Sequence, residues 1–465
     1  MIRILAILLL LWSAPLWAAH SVNYYRDIRP IIEAKCLACH AQGSVAFSYE
    51  DPERAYDFRA AIVGAVAARR MPPWMAEPGH QRYLNDYSLS DAQLALFERW
   101  GAQGYPKGRK RRSNHDANAS VSFVGDVTVA LPGSRDFLPD QAHPDDYRCF
   151  VAQWPLDRPA YVTGIGATPG NARISHHAII YIGEPSHLPV YQEFVAAEGG
   201  QGYRCFGGPV ADRLAEPGQR EAFVASHKES FEELANGQYW LAHWAPGMEG
   251  YDLPPGTGIP VKPGATVVVQ MHYFSGFAPN ERDAGTVLHF KTAEQVAKPA
   301  MNWPLSRSEW LQGKSNNSLV VPAKGKSSVS FAASLLGLDQ YIAVASGRPL
   351  ADFDRIEIHS VNVHMHLIGA AGRVRLLHDD TAEILLNVPR YQFGWQRDFF
   401  LAQPRRVALD RLDATQLEVQ CEFANPGAEP VYGGYGSKEE MCYNFSLLAL
   451  AKGEDQSVSD RNPAP

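Results

Sequence analysis

The chain has 465 residues, room for about three domains, and 46% hydrophobic with 11% aromatic residues can fill several packed cores. A formal net charge of −7 gives no footing for a nucleic-acid partner. With 38 glycines, 33 prolines and few long helical patterns, the composition favours a strand-rich protein with many turns.

Residues 1–19 read as a secretory signal peptide. Arg3 supplies the positive charge, Ile4 to Trp12 the apolar stretch, and Ala18-Ala19 the small-residue cleavage point. That stretch is too short for a membrane span, and no later segment approaches the needed length. The protein is therefore expected to be periplasmic or secreted, with no stable membrane span. Cleavage before His20 would make this histidine the mature N-terminus, a place where some oxygenases bind copper.

Residues 20–108 read as a small, mainly helical domain. Tyr24 to Lys35 runs into Cys36-Leu-Ala-Cys39-His40, the spacing of covalent c-type haem attachment. Cys36 and Cys39 would hold the porphyrin, and His40 would reach the iron as axial ligand; a redox dithiol would leave the adjacent histidine unexplained. Met71, Met75 and His80 are open as the second axial ligand. The stretch Met71-Pro-Pro-Trp74 resembles a motif of a bacterial cytochrome c type, which favours Met71. Ser90-Asp-Ala-Gln93 is a capping box that opens a helix through Trp100, closed by Gly101 and Gly104.

Residues 109–120 read as a linker, with the basic run Lys107 to Arg112 as a solvated stretch. Short alternating segments follow: Ser122 to Leu131, Ala160 to Gly166, Ser175 to Ile182, Ala265 to Phe274 and Gly285 to Phe290. A second group comprises Ser327 to Ala333, Asp354 to Leu367, Gly372 to Leu377, Gln416 to Phe423 and Met441 to Leu450. This pattern predicts two antiparallel β-sandwich domains, 121–298 and 299–452, with helix in the region 192–235. A disordered tail, 453–465, is expected after them. Six cysteines divide into the Cys36/Cys39 pair and four others, Cys149, Cys205, Cys421 and Cys442. In an oxidising compartment those four form two disulfides, and spacing alone leaves three pairings open.

Four stretches concentrate metal-ligand chemistry. His176-His177 is an adjacent pair; Gln270 and His272 share one strand face; His364 and His366 share another, with Met365 turned away; Met441 precedes Cys442. Singly, each reads as ordinary packing. Together they offer three imidazoles in the first sandwich and two imidazoles with a thioether in the second, a donor set suited to copper. On a regular strand, His176 and His177 would point apart, so their convergence calls for a bulge.

In this order, the His-His pair, Gln-x-His-Tyr, His-x-His-x-x-Gly and Glu-Met-Cys resemble the copper type II, ascorbate-dependent monooxygenases, the family of peptidylglycine alpha-hydroxylating and dopamine beta-monooxygenases. The resemblance spans about 120–450. It implies two jelly-roll-like sandwiches facing a solvent-filled cleft, here preceded by a small all-α cytochrome c-like domain. It implies an electron-relay copper on His176, His177 and His272, and a catalytic, O2-binding copper on His364, His366 and Met441. The implied reaction inserts one oxygen atom of O2 into an activated C–H bond of a small-molecule substrate. Ascorbate or another donor, or a redox partner acting through the haem, would supply electrons. The resemblance also supports a disulfide at Cys442, which would pair with Cys421 across neighbouring strands and leave Cys149 with Cys205. Asn362, Tyr443 and Phe445 stand where the peptide-hydroxylating members bind a carboxylate. With no arginine there, peptide amidation is disfavoured and a less charged substrate expected. Gln270 is expected to line the cleft, while His243 and His359 read as structural. The competing reading is a haem and copper electron-transfer or copper-handling protein without hydroxylase activity.

Overall fold

The last described strand, Asn444–Ala451, shows how the rest is arranged. Its run of apolar residues is buried on both sides: Leu447 and Ala449 belong to one hydrophobic core, Leu448 and Leu450 to another. Such a two-sided strand has no polar face to present to water, so it must lie between two layers. In the computed structural model it does. The structure describes residues 21–37, 39–40, 47–84, 86–111, 123–205, 234, 238–244, 250–276, 278–311, 318–434 and 438–453. The signal-peptide stretch, His20, most of the linker and the tail after Gly453 lie outside them.

The chain divides into two units. One comprises 1–42, 47–72 and 87–119 and is helical among its described residues. A π-helical turn, Tyr24–Ile28, leads into helix Arg29–Lys35, followed by Pro52–Asp57, Arg59–Ala67 and Asp91–Ala102. The last helix opens on the Ser90/Gln93 capping box and runs two residues past Trp100. The core of this unit mixes aliphatic and aromatic side chains, with Trp100 stacked on Tyr24 at 5.7 Å.

The other unit, 43–46, 73–86 and 120–465, is mainly β. A nine-stranded sheet runs in the order Val127–Ala130, Val287–Ala293, Ala160–Thr168, Thr257–Val261, Lys298–Leu305, Asn444–Ala451, Arg355–Val361 and Phe399–Ala408, with Gly250–Asp252 paired to Ala160–Thr168. Against its first half packs a five-stranded sheet: Tyr203–Arg204, Asp145–Gln153, Thr266–Phe274, Ser175–Gly183 and Gln238–Trp244. Against its second half packs a four-stranded sheet: Lys326–Ser334, Thr415–Ala424, Gly369–His378 and Thr381–Val388. The two sandwich lobes thus share one continuous sheet. Helix Leu188–Ala197 covers the outer face of the five-stranded sheet. Among the described residues no helix is long and apolar enough to cross a membrane.

Residues 73–86, expected to belong to the helical domain, form a strap on the second lobe. Trp74 packs edge-on against Phe399 (5.1 Å), and Tyr83 bridges to Leu401. Backbone bonds join Glu77 N to Asn387 O and Leu84 N to Phe400 O, both at 2.8 Å. The Met75 sulfur accepts from the Gln392 N–H at 3.2 Å. Met75 and His80, two of the three axial-ligand candidates, are therefore built into the β unit, His80 beside Glu77 at 3.1 Å.

Two bridges are present, Cys149–Cys205 and Cys421–Cys442. The second ties the four-stranded sheet to the segment preceding Asn444–Ala451, so it crosses between layers rather than between neighbouring strands. Some predicted strands are shorter than expected: Ser122 to Leu131 contains only Val127–Ala130, Asp354 to Leu367 stops at Val361, and Met441 precedes its strand instead of lying on it.

Candidate functional site

The first imidazole set is assembled by a register defect. Along Ser175–Gly183, Ser175 faces Tyr273 and His177 faces His272, with a bulge between that leaves His176 as the extra residue. The bulge turns two consecutive side chains to one side. His176 Nδ1 lies 3.1 Å from His177 Nδ1, which lies 3.4 Å from His272 Nδ1. A first-row metal about 2.0 Å from each imidazole nitrogen holds such nitrogens about 3.3–3.5 Å apart; two of the separations are near this, and all three ligand atoms lie within 4.8 Å of one another, a group that could hold one ion. Burial, reinforced by the His272 imidazole, holds His176 down at about 3; burial likewise lowers His177 and His272. Neutral rings keep their lone pairs for a metal.

Behind His272, Nε2 lies 2.8 Å from Asp145 Oδ1, which fixes the tautomer with Nδ1 free, and the ring stacks on Tyr147 at 4.1 Å. Both partners sit on the neighbouring strand, where Tyr147 faces His272 and Asp145 faces Phe274. Gln270 is buried, and its Nε2 donates to Cys205 O at 2.5 Å; the amide expected to line a cleft is held against the Cys149–Cys205 bridge instead.

The second set lies just beyond strand Arg355–Val361. His364 exchanges backbone bonds with Tyr443 as an isolated bridge (2.9 and 3.0 Å), and its neighbours leave the ladder. The alternation survives: the rings of His364 and His366 lie 5.4 Å apart, while Met365 is fully buried. His366 N and Ile368 N both donate to the buried Glu440 carboxylate, at 2.9 and 2.8 Å, joining this segment to the one that carries Met441. Burial raises Glu440 to about 7 against these bonds. Gly369 has a steric reason: a Cβ there would lie 2.7 Å from Met365 Cβ and 2.9 Å from Tyr391, whose hydroxyl donates to Met365 O.

Each ring is oriented through Nδ1. His366 Nδ1 donates to Glu439 O at 3.0 Å, and His364 Nδ1 to Gln396 Oε1 at 2.6 Å, which fixes the orientation of both rings. Burial, then the nearby His366, pushes His364 down to about 3. Met441 is buried directly after Glu440.

Around His364 stands an aromatic wall drawn from both lobes. Phe445 lies 6.1 Å from His364 and stacks on Trp240 (4.3 Å) and Tyr443 (5.4 Å). Asn362 is buried: Nδ2 donates to Asp398 at 2.8 Å and Oδ1 accepts from Phe445 N at 2.9 Å. His243 approaches Asp398 to 3.7 Å, and His359 lies against Glu357 at 3.2 Å. Where a solvent-filled cleft was expected between the two imidazole sets, the Phe393 ring stacks on His176 at 5.1 Å and meets His366 edge-on at 6.0 Å. Asp145, Gln396 and Phe393 had no local signal in the sequence.

Residues 345–451 match the family model of the copper type II ascorbate-dependent monooxygenase, C-terminal domain. This match supports that family. It contains His364, His366 and Met441, the loop of Phe393 and Gln396, and the Cys421–Cys442 bridge. Among curated proteins no sequence match is found. Several solved structures resemble the chain at low identity and TM-score. The infectious bursal disease virus VP2 subviral particle is 9% identical, over 72% of this chain and 74% of that one, with a TM-score of 0.17. A putative secreted protein from Parabacteroides distasonis is 7% identical over 72% and 91%, at 0.16. The major capsid protein P2 of bacteriophage PM2 is 6% identical over 71% and 100%, at 0.22.

In the helical unit, His40 Nδ1 lies 2.9 Å from Phe47 O, the ring stacks on Tyr49 at 4.4 Å, and Nε2 remains as a donor. Cys36 and Cys39 are not bridged to each other, and burial pushes the Cys36 thiol up to about 12, unlike the thiolate of a redox dithiol. Met71 is half-buried.

Proposed function

We propose that this protein is an exported copper-dependent monooxygenase that inserts one oxygen atom of O2 into a substrate C–H bond, with a fused c-type haem as its electron entry. The observation that supports the reading is the approach of the His176, His177 and His272 rings to one another in one lobe, beside a histidine pair oriented through Nδ1 in the lobe that matches the family. His176, His177 and His272 would hold one copper; His364, His366 and Met441 would hold the other, whose weak thioether suits the reduced ion. Copper bound by such donors supplies one-electron redox chemistry with O2.

The chain's own residues do the rest. Asp145, Gln396 and the Glu439 carbonyl orient the His272, His364 and His366 rings, each through one nitrogen. Trp240, Tyr443 and Phe445 offer a substrate apolar, stacking surface beside His364. The Asn362 amide is occupied by Asp398 and Phe445 rather than left for a substrate carboxylate, consistent with a substrate of low charge. Cys36 and Cys39 would form the thioethers of the haem, with His40 Nε2 and Met71 as axial ligands; two disulfides are compatible with an oxidising compartment.

The test is metal analysis and copper EPR on the exported protein, then O2 uptake measured against product in a C–H substrate screen. Two coppers per chain and O2-dependent product support the reading. Copper without product across the screen makes the protein an electron carrier or copper handler. Met71→Ala should alter the low-spin haem absorption; an unchanged spectrum reassigns that ligand.

A further inference from the structure

We infer that Phe393 is a positioning residue that sets the spacing of the two imidazole sets and keeps water out of the line between them, and that the strap 73–86 holds it there. The inference rests on the copper reading only for what the two sets bind; the packing is independent of it. One face of the Phe393 ring covers His176 at an interplanar angle of 21°, while the ring meets His366 edge-on at 88°. These are the two favourable geometries for aromatic pairs, one to a residue of each lobe. No donor atom is involved, so the ring separates the sets without joining either.

The loop bearing Phe393 is gripped on both sides. Toward the site, Tyr391 OH bonds Met365 O at 2.6 Å, Gln396 bonds His364, and Asp398 bonds Asn362. Away from the site, Gln392 N donates to the Met75 sulfur, and the Arg397 guanidinium lies 5.8 Å from the Trp74 ring. Alternate residues of one loop thus face the imidazoles and the strap, and displacing the strap displaces Phe393.

Two measurements test this in the full chain. In the metal-free protein, diethyl pyrocarbonate modification of His176, followed by peptide mapping, should rise several-fold in Phe393→Ala and to a lesser degree in Met75→Ala. Phe393→Tyr, which keeps the ring, should stay near wild type. In the copper-loaded protein, pulsed dipolar EPR should give one narrow Cu(II)–Cu(II) distance in wild type and a broader one in Phe393→Ala, at unchanged copper stoichiometry. Equal His176 reactivity and equal distance width in wild type, Phe393→Ala and Met75→Ala overturn the inference. If wild type binds no copper pair, the functional reading fails, while the metal-free measurement still decides the role of Phe393. Should Phe393→Ala fail to fold, Met75→Ala and Phe393→Leu provide the same comparison.

Discussion

Asp145 is the residue on which the first imidazole set most depends without its being a ligand. Its carboxylate, 2.8 Å from His272 Nε2, holds the proton on that nitrogen and turns Nδ1 toward the other two rings. Asp145→Asn removes the charge at nearly constant volume, and should weaken metal retention at this set by roughly 10–100-fold in a competition titration, with the His364 set unaffected. Met441→Ala should abolish O2-dependent turnover while leaving the thermal melt folded; retained turnover would exclude the thioether. The ligand-type residues were legible in the sequence because their identity and spacing carry the signal. Their supports were not. Asp145 lies 127 residues from its histidine and Gln396 32 residues from its own, and only strand register and loop closure bring them together. Even the bulge at His176 was required by the adjacent histidines rather than seen in any residue.

At the scale of elements, the strand Arg355–Val361 carries the most consequential charge in the shared sheet. Glu357 is fully buried, with Lys298 at 3.0 Å, His359 at 3.2 Å and Arg355 at 3.1 Å. Burial opposes its ionisation, but His359 and Lys298 close beside it outweigh burial and bring the carboxyl down to about 2. A carboxyl lowered by folding stabilises the protein above its unfolded value, about 4.3, and that stability is lost as pH falls toward 2. Glu357→Gln should therefore cost about 3–5 kcal/mol near neutrality and flatten the acid limb of stability between about pH 4.5 and 2, read by denaturant melts across pH. Periodicity revealed the interior strands such as Thr266–Phe274, but not where Arg355–Val361 ends. There His366 N–H leaves the ladder for the Glu440 carboxylate, a tertiary bond that alternation cannot register.

Across the whole β unit, two cores lean on the same sheet. Because Asn444–Ala451 presents one face to each, neither lobe can lose its packing without uncovering the other. Calorimetry of the copper-free protein should show the two lobes melting in one transition; two resolved β transitions would contradict the shared-sheet arrangement. The change from helical to alternating pattern was plain in the sequence, yet the strap escaped it: residues 73–86 sit amid helical neighbours, and only their partners near 383–402 identify where they belong. A chain truncated to begin at 120, the boundary that composition suggests, should aggregate or bind copper poorly, because Phe399 and Leu401 lose their cover.

The strap also imposes an order in time. Glu77 and Asn387 touch across 310 residues of sequence. The strap must wait, without these partners, while the 310 residues up to Asn387 are made, so the lobe that it braces can close only after that stretch of synthesis.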